Sequence, residues 1–166
     1  MRGCSQCTPA ELEQVMGIYG NMVYRLAYSQ LRSKADADDI YQEVFLRYLQ
    51  KRPDFESEEH RRAWLLRVTL NQSRTLFSSA WFRYTAPLEE CAAVFEPEER
   101  KLDEALRALP QKERTLIHLF YYEELSIREI AQLLHRKEST VRAQLTRARR
   151  KLAQIVKGES YAETGI

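Results

Sequence analysis

Basic and small residues alternate between Arg136 and Lys151, where seven Lys or Arg side chains accompany one acid, Glu138. Such a surface could bind a polyanion, because arginines reach phosphates and base edges while small residues allow close approach to the bases. The alternative is a solvated basic face on an ordinary helix. The candidate nucleic-acid contacts are Arg136, Lys137, Ser139, Thr140, Arg142, Ala143, Thr146, Arg147 and Arg150.

Four carboxylates cluster in the N-terminal part of the chain, at Asp36, Asp38, Asp39 and Glu43. Carboxylates this close could bind a metal ion or act as a general acid and base. They could also start a helix, where negative charge interacts favourably with the dipole, or form a protein-binding strip with Gln42 and Leu46. No histidine lies within ten residues of the cluster, so the pattern favours these two interpretations over metal chemistry.

Arginines and aromatic residues are interleaved from Arg61 to Tyr84. Aromatic rings can stack on unpaired bases while arginines neutralise phosphates, an arrangement typical of single-strand binding. The alternative is that these aromatic residues belong to the core, which is the favoured interpretation for Trp64. Cys4 and Cys7 form an isolated C-x-x-C pair, which is compatible with zinc binding or redox chemistry. Because no second pair lies nearby, two incidental cysteines are the favoured interpretation.

The elements that carry these residues are predicted to be helices, because apolar residues recur at helical spacing and strand-like alternation is scarce. Thr8 and Pro9 indicate a helix start, and further helices are expected from about Ala35 to Lys51 and after Ser57. Prolines and five glutamates interrupt the pattern between residues 84 and 99, which predicts a linker. The predicted organisation is a domain of residues 8–83, this linker, a second domain of residues 100–157 and a flexible tail of residues 158–166.

A helix-turn-helix is predicted within the second domain. Ser126 and Glu129 have capping-box spacing at the start of a short helix, and residues 135–137 predict the turn. Apolar residues then step by four and three positions along a longer helix, so they share one buried face. This stripe consists of Val141, Leu145, Ala148, Leu152 and Ile155. The predicted fold is all-α, with two small helical domains joined by an acidic linker, the second a winged-helix-like helix-turn-helix of three to four helices.

Composition limits the classes of protein that the 166 residues could form. Hydrophobic residues at 44% and charged residues at 30% indicate a globular chain, and five Gly and five Pro are few for a turn-rich β sandwich. No apolar stretch approaches the ~20 residues of a membrane span, and no secretory signal is visible. Three cysteines fit a reducing compartment. A soluble cytoplasmic protein without membrane insertion of its own is expected.

Three segments together resemble the bacterial RNA polymerase sigma factors of the extracytoplasmic-function (ECF) group. Residues 35–46, ADADDIYQEVFL, resemble the polymerase-binding helix of that family. Residues 62–65 with Val68 and Asn71 resemble its promoter-melting helix, and residues 109–114, 129–131 and 140–149 resemble its second DNA-binding domain. Each motif alone is modest, whereas all three in this order and at this spacing are specific.

The resemblance implies a transcription initiation factor that binds core RNA polymerase, reads the −35 promoter element with the C-terminal basic helix and melts the −10 element with the N-terminal domain. It implies no enzymatic activity, no cofactor and no metal. The partners that it implies are core RNA polymerase, promoter DNA and an anti-sigma factor. The implied polymerase-binding residues are Asp36, Asp39, Gln42, Glu43, Phe45 and Leu46. The implied −10 contacts are Phe55, Arg62, Arg67, Asn71 and Arg74. Thr75 and Ser78 depart from the Asp and Arg that the family often has there.

Two other functions are compatible with parts of the sequence. A dimeric helix-turn-helix regulator that does not bind polymerase would explain residues 126–152, but it would leave the strip around Asp39 and Glu43 without a role. A carboxylate-metal enzyme would use the same acidic cluster as its active site.

Overall fold

The computed structural model describes residues 8–51, 53–78, 102 and 104–163, and the regular elements in these residues are all helical. They are α1 Pro9–Leu31, α2 Lys34–Lys51, α3 Glu58–Ser78, α4 Gln111–Ile117 with its π-helical continuation His118–Tyr122, α5 Ile127–Leu134 and α6 Glu138–Glu163. This confirms the all-α prediction, and residues 104–163 contain no β-strand that could form a wing. No helix in the described ranges has the length and apolar character needed to span a membrane.

The chain divides into two compact units, with the division between Glu89 and Glu90. The linker predicted for residues 84–99 lies outside the described residues, as do Cys4 and Cys7. The N-terminal unit is built from α1, α2 and α3, and the C-terminal unit from α4, α5 and α6.

Helix α1 starts where Thr8 and Pro9 predict it, and a capping box stabilises this start. The Glu11 backbone N–H donates to Thr8 Oγ1 at 3.2 Å, and the Thr8 N–H donates to the Glu11 carboxylate at 3.0 Å. This reciprocal capping satisfies two backbone donors that would otherwise lack partners. After α1, Arg32 adopts a left-handed conformation with φ 58°, and the Asp36 N–H donates to the Ser33 hydroxyl at 3.3 Å as α2 begins.

The three helices of the N-terminal unit all pack against one another. Their shared core consists of fully buried aliphatic side chains, among them Leu26, Val44, Leu65 and Leu66. Gly20 permits the close approach of α1 to α2, because a Cβ at this position would lie only 3.0 Å from the Tyr41 hydroxyl.

In the C-terminal unit, α6 packs against both α4 and α5. Its Val141, Leu145 and Ala148 side chains are buried, as the apolar stripe predicts, whereas Leu152 and Ile155 are half-buried. An ion pair between Lys151 Nζ and Glu113 Oε1 at 2.7 Å also joins α6 to α4.

Helix α6 is longer than the sequence indicates. A flexible tail is predicted from residue 158, but α6 continues through Gly158 to Glu163, and residues 164–166 lie outside the described residues. A glycine within a helix costs about 1 kcal/mol relative to alanine, which is too little to end a helix on its own.

Leu145→Ala is expected to destabilise the C-terminal unit by about 2–5 kcal/mol, because it leaves a cavity in the contact of α6 with α4 and α5. Denaturant-dependent amide hydrogen exchange over residues 111–152 measures this change. Leu152→Ala is the matched control, since its half-buried side chain should cost less. Equal losses for the two variants would show that the contact does not depend on Leu145.

Candidate functional site

The exposed side of α6 carries the basic and small residues that the sequence singles out. Because Val141, Leu145 and Ala148 are buried, the remaining positions of the same turns face outward. The exposed candidates are Lys137, Ser139, Thr140, Arg142, Ala143, Thr146, Arg147 and Arg150. A continuous face of arginines and small side chains is therefore available to enter a DNA groove.

The turn between α5 and α6 has defined backbone geometry. The Ser126 hydroxyl accepts from the Glu129 N–H at 3.1 Å, and the Glu129 carboxylate accepts from the Ser126 N–H at 2.7 Å, so the predicted capping box starts α5. At the other end, His135 adopts a left-handed conformation with φ 53°, and the Arg136 N–H donates to the Ala131 carbonyl at 2.9 Å. These bonds close a short turn that sets α6 against α5.

Two arginines near the basic face are held by other side chains of the protein. Arg136 is half-buried, and its Nη1 donates to Gln144 Oε1 at 2.8 Å. The Arg149 guanidinium lies 5.0 Å from the Phe120 ring centroid and 5.4 Å from that of Tyr121. Arg136 is thus less available to a ligand than the exposed Lys137. The sequence predicts neither the contact of Arg136 with Gln144 nor that of Arg149 with the two rings.

An apolar hollow of about 390 Å³ lies in the C-terminal unit. Its lining consists of Leu102, Ile117, Tyr121, Tyr122 and Leu152. Leu152 belongs to the apolar stripe of α6 and not to the basic face. The hollow and the basic face therefore use different sides of α6.

The acidic strip of α2 consists of Asp39, Gln42, Glu43 and Leu46. Asp39 and Gln42 are exposed, and Leu46 is 48% exposed. Glu43 Oε1 accepts from Arg47 Nε at 2.9 Å within the same helix. The strip thus offers carboxylate, amide and apolar groups on adjacent turns.

The placement of Phe45 corrects the predicted docking surface. Phe45 is 3% exposed, and its ring packs on Tyr41 with centroids 4.9 Å apart, so it supports α2 from the core and cannot contact a partner directly. Asp36, another of the predicted polymerase contacts, lies half-buried in the first turn of the helix.

The carboxylates of α2 do not assemble a metal site. Within the described ranges, no three His, Cys, Asp or Glu side chains come together closely enough to hold an ion. The structure therefore gives the carboxylate-metal hypothesis no support.

The loop of residues 53–57 contains an aromatic cluster around Phe55. Its half-buried ring lies near-parallel to Tyr48, with centroids 6.0 Å apart, and edge-on to His60 and Trp64 at 5.4 and 6.0 Å. Trp64 is itself half-buried, so it serves this cluster and does not lie fully in the core. The candidate base-capturing residue is thus packed on several sides.

Backbone contacts hold this loop against the start of α3. The Glu56 N–H donates to His60 Nδ1 at 3.3 Å, and the His60 N–H donates to the Ser57 hydroxyl at 3.1 Å. Tyr19 of α1 donates its hydroxyl to Glu58 at 2.6 Å, and Glu58 also pairs with Arg61 at 3.0 Å. Sequence reasoning missed Tyr19, since nothing in the sequence links positions so far apart.

The outward face of α3 carries Arg67, Asn71 and Arg74, all exposed and spaced by four and three residues. Arg62, the remaining predicted −10 contact on this helix, is half-buried. The exposed three share one side of α3, so they can contact a single extended ligand.

Comparison with known proteins identifies two regions of one protein family. Residues 16–83 match Sigma-70 region 2, and residues 99–152 match Sigma-70, region 4. The first match covers α1 from residue 16 onward together with all of α2 and α3, and the second covers α4, α5 and about half of α6.

Individual relatives match over nearly the whole chain. The ECF RNA polymerase sigma factor SigM of Mycobacterium tuberculosis is 27% identical over 159 residues, which cover 93% of this chain and 80% of the relative. The ECF RNA polymerase sigma factor SigW of Bacillus subtilis is 27% identical over 160 residues, which cover 83% of this chain and 84% of the relative.

Solved structures share the fold. CnrH, in complex with the cytosolic domain of CnrY, superposes with a TM-score of 0.72 at 24% identity and 93% coverage of both chains. The sigma factor RpoE of Bartonella quintana, in complex with the anti-sigma factor NepR, gives 0.69 at 20% identity, covering 87% of this chain and 96% of RpoE. Both family regions are thus present in order on one helical chain, which belongs to the ECF-type RNA polymerase sigma factors, the subunits that bind core polymerase and give it promoter specificity.

Proposed function

We propose that this sigma factor divides promoter recognition between its two units, with the C-terminal unit reading the −35 element and the N-terminal unit docking on polymerase and opening the −10 element. The observation that carries this proposal is the basic face of α6, exposed opposite a buried apolar stripe. The chain itself makes and breaks no bond, so catalysis belongs to the polymerase. Its partners are core polymerase and promoter DNA, which places it in the cytoplasm.

Reading of the −35 element rests on α6 as a recognition helix in the major groove. Arg142 and Arg147 are exposed on turns that also carry the small side chains of Ala143 and Thr146. Small residues let the helix approach the base edges, and each arginine can then form a bidentate contact with guanine. Lys137 lies in the turn before the helix, where a phosphate is the nearer partner.

Opening of the −10 element rests on capture of unpaired bases by α3 and the loop before it. Extruding a base costs a few kcal/mol, so a protein that binds the unpaired form shifts the duplex towards opening. Arg67, Asn71 and Arg74 form an exposed face that can track the separated strand, while Phe55 lies in the loop at the start of the helix.

Docking on polymerase rests on the acidic strip of α2. Its exposed Asp39 and Gln42 and the outward Leu46 combine polar specificity with apolar area, as in the core and rim of protein interfaces. Asp39, Gln42 and Leu46 of the α2 strip are exposed, which supports assignment of the strip to a partner.

An anti-sigma factor is proposed as a further partner. RpoE of Bartonella quintana has been solved with such a protein, and the C-terminal unit of this chain has an apolar hollow of about 390 Å³ suited to an apolar side chain. Because this hollow is not on the basic face of α6, its occupant need not compete for the same residues as DNA.

The dimeric regulator is not favoured. A helix-turn-helix regulator requires only the C-terminal unit, whereas this chain also matches Sigma-70 region 2 over residues 16–83. Transcription reconstituted with core polymerase on a pool of random promoters tests the proposed function as a whole. Selective use of some promoters supports it, and absence of any stimulation contradicts it.

Asp39→Lys is expected to weaken binding to core polymerase roughly tenfold or more, equivalent to about 1.4 kcal/mol, because it reverses an exposed charge in the docking strip. The melting temperature should change by only a few degrees, since exposed substitutions usually cost under about 0.5 kcal/mol. Titration of labelled sigma factor with core polymerase measures the affinity. Asp38→Lys is the control, as it is exposed but lies about 100° around the helix; an equal loss there would remove the strip from docking.

Asn71→Ala is expected to lower opening of the −10 region several-fold while leaving closed-complex binding nearly unchanged, because unpaired bases are available only after melting. Permanganate reactivity of thymines measures opening, and filter binding at low temperature measures the closed complex. Asn21→Ala makes the same substitution on the exposed side of α1 and should leave both unchanged. Wild-type reactivity with Asn71→Ala would exclude this residue from melting.

Arg142→Ala and Arg147→Ala are each expected to change which −35 sequences are used, at a cost of about 1–3 kcal/mol for the preferred base. Lys137→Ala should weaken binding evenly across sequences and reduce the salt slope by about one, since it removes a phosphate contact. Holoenzyme binding to a −35 library at two salt concentrations separates the two effects. A change of preference with Lys137→Ala alone would reverse the assignment.

A further inference from the structure

We propose that Tyr19, Glu58 and Arg61 are positioning residues for promoter opening, which hold the Phe55 ring in place through one chain of contacts. This inference rests on the proposed role of the loop of residues 53–57 in capturing an unpaired base. It adds three residues to that role. The sequence predicts no function for Tyr19 or Glu58, and for Arg61 it predicts only a phosphate contact, as part of the segment of interleaved arginines and aromatic residues.

The chain of contacts begins on α1. The Tyr19 hydroxyl donates to Glu58 Oε2 at 2.6 Å. The pKa of Tyr19 is raised to about 12, first by burial and then by the hydrogen bond to Glu58 and its negative charge. The phenol therefore stays protonated and remains a donor at any physiological pH.

Glu58, the first residue of α3, also contacts a second residue of its own helix. Its second oxygen, Oε1, pairs with Arg61 Nη1 at 3.0 Å, so the two oxygens of one carboxylate hold one group from α1 and one from α3. Arg61 is thus held by a charge-assisted contact to a carboxylate that Tyr19 also holds. The contribution of this ion pair to folding is small, because the Glu58 side chain is 62% exposed and exposed ion pairs contribute little to stability.

Arg61 is the last residue in this chain of contacts and reaches the loop of residues 53–57. Its guanidinium carbon lies 5.3 Å from the Phe55 ring centroid, within the range of a cation–π contact. Tyr48, His60 and Trp64 also surround this ring. The Arg61 guanidinium, itself held by Glu58, adds the contact that links the ring to Tyr19 on α1.

An ordered Phe55 ring preorganises the loop for capture of a base. A loop that must capture a base in a defined geometry binds it more tightly when its side chains are already ordered. Arg61 then acts through Phe55 and not by touching the DNA, which distinguishes it from the exposed Arg67 and Arg74 further along α3.

The test is a double-mutant cycle in holoenzyme made from core polymerase and the full chain. Arg61→Leu, Phe55→Leu and the double variant are measured for binding to a single-stranded oligonucleotide carrying the non-template −10 sequence of a promoter that the wild type uses. Arg61→Leu should lower this affinity about fivefold in the wild-type background. The double variant should bind less than about twofold more weakly than Phe55→Leu alone. Tyr19→Phe removes one hydroxyl and should weaken binding about twofold in the same direction.

Controls separate positioning from folding and from charge. Arg25→Leu removes an exposed arginine of α1 and should leave the affinity unchanged, and Arg61→Lys, which keeps the charge but not the planar face, should fall between wild type and Arg61→Leu. Unfolding temperatures of all variants should stay within a few degrees of wild type.

Three results overturn the inference, and they differ from one another. An equal loss from Arg61→Leu in both backgrounds, with a salt slope reduced by about one, would mean a direct phosphate contact. A loss with Phe55→Leu but none with Arg61→Leu would mean that the loop captures the base without this chain of contacts. No loss with Phe55→Leu would reject the proposed role of the loop itself.

Discussion

The burial of one side of α6 is the constraint on which the proposed DNA recognition by this helix depends. Val141, Leu145 and Ala148 are buried against α4 and α5, so the rotation of α6 about its axis is fixed. Once the apolar side is buried, Arg142 and Arg147 have no position except facing outward. A helix with the same charges but without this stripe could rotate, and its arginines would then neutralise phosphates without reading particular bases.

Burial of apolar side chains also determines which sides of α2 and α3 are exposed in the N-terminal unit. Packing of α1, α2 and α3 buries Val44 and Phe45 and thereby turns Asp39, Gln42 and Leu46 outward. On α3, burial of Leu65 and Leu66 leaves the Arg67 side free for nucleic acid. Polymerase docking and strand capture can therefore take place on different helices of one small unit.

Polar contacts restrain individual side chains in addition to the packing of the apolar core. Lys151 and Glu113 tie α6 to α4 at 2.7 Å, and Arg136 is held on Gln144 at 2.8 Å. Both contacts reduce the freedom of long side chains on or beside α6. Of the two candidate nucleic-acid contacts in the turn, Arg136 and Lys137, the exposed Lys137 is therefore the better candidate for a phosphate contact.

The sequence by itself determined the helices, their starts and the family. Capping boxes at Thr8 with Glu11 and at Ser126 with Glu129 were predictable because a cap involves residues only three positions apart. The apolar stripe of α6 was predictable because helical spacing alone places its members on one side. Phe45 shares the apolar spacing of Val44 and Tyr48, so its burial could also have been foreseen from periodicity, although the family motif suggested a contact residue.

Only the tertiary structure decided which distant side chains meet. Tyr19 and Glu58 are 39 residues apart, and Lys151 and Glu113 are 38 apart. No local spacing rule connects such positions, because their distance depends on how whole helices pack. The stacking of Arg149 on Phe120 and Tyr121 arises in the same way, as does the hollow lined by Leu102 and Leu152. Spacing within a helix fixes the face on which a residue lies, whereas helix packing alone fixes what that face contacts.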